Sequence, residues 1–257
     1  MNKKEFIENP ELHIQETLIC QITGKDSPLV VFDIGACTGE NSVRYARIFP
    51  SSTIYTFEPI ACNFNYIQQY ILQYEITSIY PFALCISDTE GIAEFHVSSG
   101  KPENLDTDDD WDYGNKSSSL LTPEKTKEVY PWLKFEEIIT VQTTTLKQFC
   151  KEQSISSIDF IHMDVQGAEL IILNGAGDFI HKINMIWLEV ENVELYKGQP
   201  LKKDIEYFMK KNGFVKIEDT VDAVAGDQFW ARKGYIKNKK NRWFLFKRQL
   251  IAMINRI

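Results

Sequence analysis

Short apolar runs rich in β-branched and aromatic residues recur along the chain. Most end in glycine, proline or an acid and give way to apolar positions spaced three and four apart. Period-two and fully apolar runs indicate strands, and the longer spacing indicates helices. The pattern predicts strands at 29–34, 53–58, 78–85, 157–163, 184–190 and 213–218, with helices at 40–48, 60–73, 145–152, 167–174 and 201–212. This alternation predicts an α/β fold built on a parallel sheet. A last run at 227–232 follows 213–218 after a short glycine-containing loop, which suits an antiparallel pair at the sheet edge. A helix over about 11–22 precedes the first strand, so 1–28 reads as a helical extension to a main domain at 29–236. Two stretches break the rhythm: a turn with an extra short strand at 90–97, and a polar insertion at 98–137. Insertions of that length serve as lids or substrate loops.

The first strand carries the most informative chemistry. Leu29-Val30-Val31-Phe32 runs into Asp33-Ile34-Gly35-Ala36-Cys37-Thr38-Gly39, a strand feeding a glycine turn and then a helix, which lets a nucleotide-like cofactor approach the backbone. Asp33 and Glu40 flank the turn. A pyrophosphate would meet like charge there, whereas the ammonium and sulfonium of S-adenosylmethionine would be attracted. The second strand ends in Glu58-Pro59, and Glu58 follows Gly39 by 19 residues. An acid at that distance, on the tip of the neighbouring strand, can accept hydrogen bonds from both ribose hydroxyls.

The segment 158–170 reads as a buried strand, a turn at Gly167 and a helix. Alternation puts Phe160, His162 and Asp164 on one face, with Asp164 at the carboxyl end of the strand, where open α/β sheets bind ligands. Asp164 there can orient a hydroxyl, remove its proton or hold a divalent cation such as Mg²⁺. His162 is the second candidate base: its unperturbed pKa suits neutral pH better, but its predicted position is worse.

Composition narrows the context. The chain has 257 residues, 44% of them hydrophobic, enough for one large core. No apolar run reaches membrane-spanning length, and the N-terminus lacks an apolar export region. Five widely spaced cysteines read as reduced thiols of a cytoplasmic protein. The net charge of −8 is unevenly distributed: residues 232–257 hold nine bases and no acid, which leaves −17 on the rest. An acidic body disfavours nucleic acid across the main cleft. In the tail, Trp243, Phe246, Leu250, Ile254 and Ile257 fall at helical spacing among basic residues. Residues 237–257 are therefore expected to form a basic amphipathic helix, either lying on the inner face of a membrane or packing on the body or on a second subunit in a homodimer.

Taken together, Asp33 to Ser42, Phe57-Glu58-Pro59, Ser118-Ser119-Leu120, Thr143 to Leu146 and Asp164 to Glu169 resemble the FkbM family of S-adenosylmethionine-dependent methyltransferases over about 29–232. The resemblance implies a Rossmann-like class I methyltransferase fold. It implies a cofactor site formed by Asp33, Gly35, Ala36, Gly39, Asn41, Ser42, Glu58 and Pro59, with the Phe82-Ala83 strand end by the adenine and Asp164 at the reaction centre. Ser118, Ser119, Gln166 and Glu189 are expected on the substrate side. The family's usual chemistry implies an O-methyltransferase acting on a sugar hydroxyl of a glycan, polysaccharide or glycolipid. A non-catalytic cofactor-binding scaffold and an N-methyltransferase are the alternatives. Cys37, His162 and Gln166 stand where the family usually has Asn, Lys and Glu.

Overall fold

The computed structural model describes residues 2–103 and 113–237. The acidic run of the insertion and the expected C-terminal amphipathic helix fall largely outside the described residues.

The elements are α1 (Lys3–Glu8), α2 (Ile14–Thr23), β1 (Val30–Ile34), α3 (Glu40–Ile48), β2 (Thr53–Phe57), α4 (Ala61–Gln73), β3 (Ile79–Phe82), β4 (Cys85–Ser87), β5 (Gly91–Ser99), α5 (Thr126–Val129), β6 (Lys134–Thr145), α6 (Leu146–Glu152), β7 (Ile158–Met163), α7 (Glu169–Gly175), β8 (Ile183–Glu191), α8 (Lys202–Lys211), β9 (Phe214–Asp219) and β10 (Ala225–Arg232). Seven strands form one sheet in the order β3-β2-β1-β7-β8-β10-β9. The pairs from β3 to β8 are parallel, and β10 runs antiparallel to both β8 and β9. The chain thus forms an α/β fold with a mostly parallel sheet and an antiparallel edge pair.

Both faces of this sheet are covered, so its strands are apolar on both sides. Phe32, Ile161, Met163, Ile186, Leu188 and Trp230 pack on the side of α6, α7 and α8. Val31, Phe160, Met185, Trp187, Phe229 and Ala231 pack on the other side with residues of α1, α2 and α3. Leu18 and Ile19 of α2 are fully buried there, and burial of each such side chain contributes about 1.5–3 kcal/mol.

Two features differ from the sequence expectation. The run 78–85 is not one strand: it breaks after Phe82, and β4 joins a second sheet, of order β4-β6-β5. The part of the insertion described here is also more ordered than a polar loop. It contains a short 3₁₀ turn at Gly114–Ser117 and α5, and leads into the twelve-residue β6. Cross-strand pairing with β5 supplies the order that local polarity concealed.

The segment before β1 is held by one side chain. Arg44 of α3 is 1% exposed and spends all five of its N–H donors on this segment. They reach both carboxylate oxygens of Glu16 at 2.5 and 2.8 Å and the carbonyls of Phe6, Asn9 and Glu11 at 2.7, 2.9 and 2.5 Å. Replacing Arg44 by Met strands a buried Glu16 carboxylate, so Arg44→Met should lower stability by about 3–5 kcal/mol. Urea unfolding measures this, and Glu16→Gln added to the variant should recover part of the loss. A single variant within about 1 kcal/mol of wild type would show the clamp to be dispensable.

Candidate active site

Three strand ends are lashed together at the carboxyl edge of the sheet. The Gly35 and Ala36 amides donate to the Phe57 carbonyl at the end of β2, at 3.2 and 3.1 Å, and the Asp164 amide donates to the Ile34 carbonyl at 3.1 Å. Gly35 has φ +79°, and a Cβ on it would stand 2.0 Å from the Asp164 carbonyl oxygen. Only glycine permits both the left-handed turn and this approach. Gly39, also left-handed at φ +88°, starts α3 against Ile67 of α4.

Glu58 is fixed at the β2 tip by the Cys37 amide at 3.0 Å, the Ile60 amide at 2.8 Å and the Asn63 side-chain amide at 3.4 Å. Burial nevertheless raises its pKa to about 8. Asp33 lies behind the loop. Its carboxylate accepts from Ser42 at 2.5 Å, and Ser42 also bonds Thr56 at 2.7 Å. Burial, with Glu40 and Asp164 adding to it, lifts Asp33 to about 7. Cys37 sits in the loop at φ 50°. Burial, then the neighbouring acids, push its thiol well above the ordinary range, which disfavours the nucleophilic thiolate.

Two clefts meet at this edge. The first holds about 530 Å³ of free space and is lined by Gly35, Cys37, Glu58, Pro59, Asn63, Leu84, Cys85, Ile86, Asn115, Ser118 and Asp164, among others. The second holds about 1050 Å³ and is lined by Phe6, His13, Gln15, Gly35, Ala36, Cys37, Glu40, Asn41, Lys116, His162, Asp164, Trp187 and Asp227. Gly35, Cys37, Lys116 and Asp164 line both.

Asp164 is open to the clefts yet ringed by protein, and desolvation raises its pKa while Gln166 and Lys116 lower it. The Gln166 amide nitrogen donates to Asp164 at 2.7 Å and to Glu189 at 2.6 Å. A glutamate at 166 could not donate these bonds and would add another acid to a crowded group. Burial, followed by repulsion from Asp164 and its neighbours, already holds Glu189 well above the carboxylate range, and Glu191 lies at about 7. His162 bonds Tyr45 through Nδ1 at 2.6 Å, and burial depresses its pKa to about 4. It is neutral at physiological pH and a weak proton acceptor.

The structure therefore brings Gly35, Ala36, Asn41, Glu58, Pro59, Ser118, His162 and Asp164 onto the cleft walls. Asp33, Gly39 and Ser42 support the loop from behind. Ser119 is buried and bonds the Gln166 carbonyl at 2.8 Å. Gln166 and Glu189 act on Asp164 from the side. Phe82 turns its ring onto Phe57 and Phe149, and neither it nor Ala83 lines either cleft; Leu84, Cys85 and Ile86 stand there. Sequence reasoning also missed Asn63, Lys116, Trp187 and Asp227. Asn63 carried a readable signal, since it lies one helical turn beyond the Glu58-Pro59 tip. Among the described residues, no group of three or more His, Cys, Asp or Glu is arranged to hold a metal ion.

The residues present fit an adenosyl sulfonium: an acid fixed at the β2 tip, where it can accept from hydroxyls, a glycine turn that admits close approach, and an acidic environment. This strand order and site define a Rossmann-like, S-adenosylmethionine-dependent methyltransferase. The chain belongs to the FkbM family, since residues 33–216 match the methyltransferase FkbM domain. Over 190 residues it is 32% identical to the 2-O-methyltransferase NoeI of Sinorhizobium fredii (strain NBRC 101917 / NGR234), covering 72% of each chain. Solved structures resemble it more distantly. Precorrin-6y C5,15-methyltransferase from Geobacter metallireducens GS-15 aligns at a TM-score of 0.43 and 9% identity, covering 88% of this chain and 92% of that one. M. capricolum TrmK in complex with S-adenosylhomocysteine aligns at 0.45 and 9%, covering 86% and 69%.

The raised carboxyls give a pH signature. Asp33 and Glu58 bind protons below about 7 and about 8, and a cationic ligand prefers their ionised forms. Affinity for S-adenosylmethionine should rise between about pH 6 and pH 8.5, by at most roughly tenfold per pH unit for each proton released. S-adenosylhomocysteine lacks the sulfonium charge and should respond less. Calorimetry across this range reads both, and parallel profiles would show that the two acids do not sense that charge.

Proposed function

We propose that this methyltransferase transfers its methyl group to a hydroxyl of a sugar acceptor, with Asp164 as the group that takes the proton. The observation that carries the chemistry is the Asp164 carboxylate, which opens where the two clefts meet and is oriented by Gln166. The similarity to a 2-O-methyltransferase supports oxygen as the accepting atom.

When bound, S-adenosylmethionine supplies an electrophilic methyl group. Glu58, Gly35, Ala36, Asn41 and Pro59 would hold it, with Asp33, Gly39 and Ser42 fixing the loop behind them. Positioning is the main protein contribution to such a displacement. Asp164 Oδ would orient the acceptor hydroxyl and take its proton as the methyl group exchanges its bond to sulfur for one to that oxygen, with S-adenosylhomocysteine as the leaving group. Its raised pKa brings it nearer neutrality than an exposed carboxylate, which improves it as a base. His162 is the weaker candidate because its Nδ1 is engaged with the Tyr45 hydroxyl and its pKa is low. A divalent cation on Asp164 is a second role for the same side chain and is separated by the test below.

Asp164→Asn keeps an oxygen for the Gln166 bond but cannot take a proton. It should retain S-adenosylhomocysteine affinity within a few-fold while turnover falls by about 10²-fold or more. Mass spectrometry of host glycans reads the outcome: cells supplied with the wild-type gene gain one CH₂ unit on a sugar, and cells supplied with the variant do not. Equal methylation by both would make Asp164 structural. Activity abolished by a chelator and restored by Mg²⁺ would assign Asp164 to a metal instead.

A further inference from the structure

The second cleft differs in chemistry from the first. It lies on the α1–α3 side of the sheet, where β1, β7 and β8 place Asp33, His162 and Trp187 side by side in register. Asp227 comes from β10, directly opposite Glu189 of β8, and the Trp187 side chain bonds its carboxylate. The facing wall is aromatic: the rings of Phe6 and His13 are 5.0 Å apart. Gln15 and His162 line the space between. Gln15 bonds the Tyr45 hydroxyl, and Tyr45 bonds His162 Nδ1, leaving the imidazole Nε2 as the edge available to the cleft.

The geometry points to the part of this cleft bounded by Phe6, His13, Gln15, His162, Trp187 and Asp227, beyond the Ala36 and Asn41 that would face the cofactor, as the acceptor subsite, taking an uncharged sugar ring with Asp227 as its hydroxyl anchor. This rests on the sugar-hydroxyl reading above. Three observations carry it. Asp164 lines both clefts, so a ring in the second cleft presents its hydroxyl where the first cleft ends. Carboxylate, amide and imidazole groups facing an aromatic wall match the two kinds of surface on a pyranose, its hydroxyl edges and its apolar C–H face. The charge then selects among sugars. Asp164 and Asp227 face the cleft, Glu40 is already tied to Thr38 and Lys3, and Lys116 is the one Lys or Arg lining it among the described residues. Above about pH 7, the value to which burial lifts Asp227, a uronate or phosphate seated beside it would meet like charge at short range, whereas a hydroxyl there donates to an acceptor, so the two are compared at about pH 8.5. Asp227 is thus a specificity residue as well as an anchor.

The test uses the full chain saturated with S-adenosylhomocysteine. Saturation-transfer NMR is run with a panel of methyl glycosides of neutral hexoses and deoxyhexoses, and with the matching uronic acids. Expected are a signal from at least one neutral glycoside, none from its uronate, and about tenfold or greater weakening of the neutral glycoside in Asp227→Ala, the loss of one good hydrogen bond to a charged group. Asp227→Asn, which keeps a polar group and removes the charge, should narrow the gap between neutral glycoside and uronate. Unchanged S-adenosylhomocysteine affinity by calorimetry shows that both variants are folded. Uronates bound as well as neutral sugars, undiminished binding in Asp227→Ala, or no glycoside bound at all would each overturn the subsite. The two readings fail separately. Sugars methylated equally in cells carrying wild type and Asp227→Ala would remove the subsite and leave the activity, whereas no methylated sugar in either would remove the activity itself.

Discussion

The functional edge depends on the absence of one side chain. Because Gly35 has no Cβ, the loop after β1 can lie against the Asp164 carbonyl at the end of β7, and the Ile34 carbonyl can take the Asp164 amide. A methyl group at that point would drive the two strand ends apart. The backbone of the first glycine loop is tied in turn to Phe57, which sets where Glu58 emerges. Glu58, the loop and Asp164 thus share one rigid frame made of main-chain contacts, which do not depend on rotamer freedom for their placement.

That frame concentrates negative charge in a partly desolvated space. Asp33, Glu58, Glu191 and Asp227 are all raised towards neutrality by burial, and Glu169 and Glu189 further still. Such an arrangement is costly for the free protein and is relieved by a ligand that carries positive charge. The same feature accounts for Gln166: a neutral amide bridging two acids lowers the repulsion that a third carboxylate would raise.

Most of the large sheet was legible because its signals are local. Strand-ending glycines, the acid at the β2 tip and the Asp164 turn each declare themselves within a dozen residues, and the antiparallel pairing of β9 and β10 follows from the short loop between them. The errors came where partners are distant. Nothing in 78–85 marks the point at which the chain leaves one sheet for another, so Phe82 was expected in the cleft that Leu84, Cys85 and Ile86 line. The start of β6, up to residue 137, falls in the expected polar insertion and the rest in no expected strand, because its partner β5 lies some forty residues earlier. Trp187 and Asp227 gave no signal, since each acquires its role only through cross-strand register.

The clamp on the N-terminal segment has a consequence for how this protein can change. Arg44 grips α1 and the turn after it through three main-chain carbonyls, and it engages the Glu16 carboxylate and stacks over the Phe6 ring, 5.4 Å from its centroid. Much of the hold on the wall bearing Phe6 and His13 therefore rests on atoms that every amino acid possesses, the His13 main-chain amide on Glu16 included. His13 can be exchanged without breaking any of these bonds, while Arg44 and Glu16 cannot. Anchorage and the cleft-facing surface at His13 are thus carried by different atoms of the same short segment, so the lineage can change that surface without first having to refold its wall.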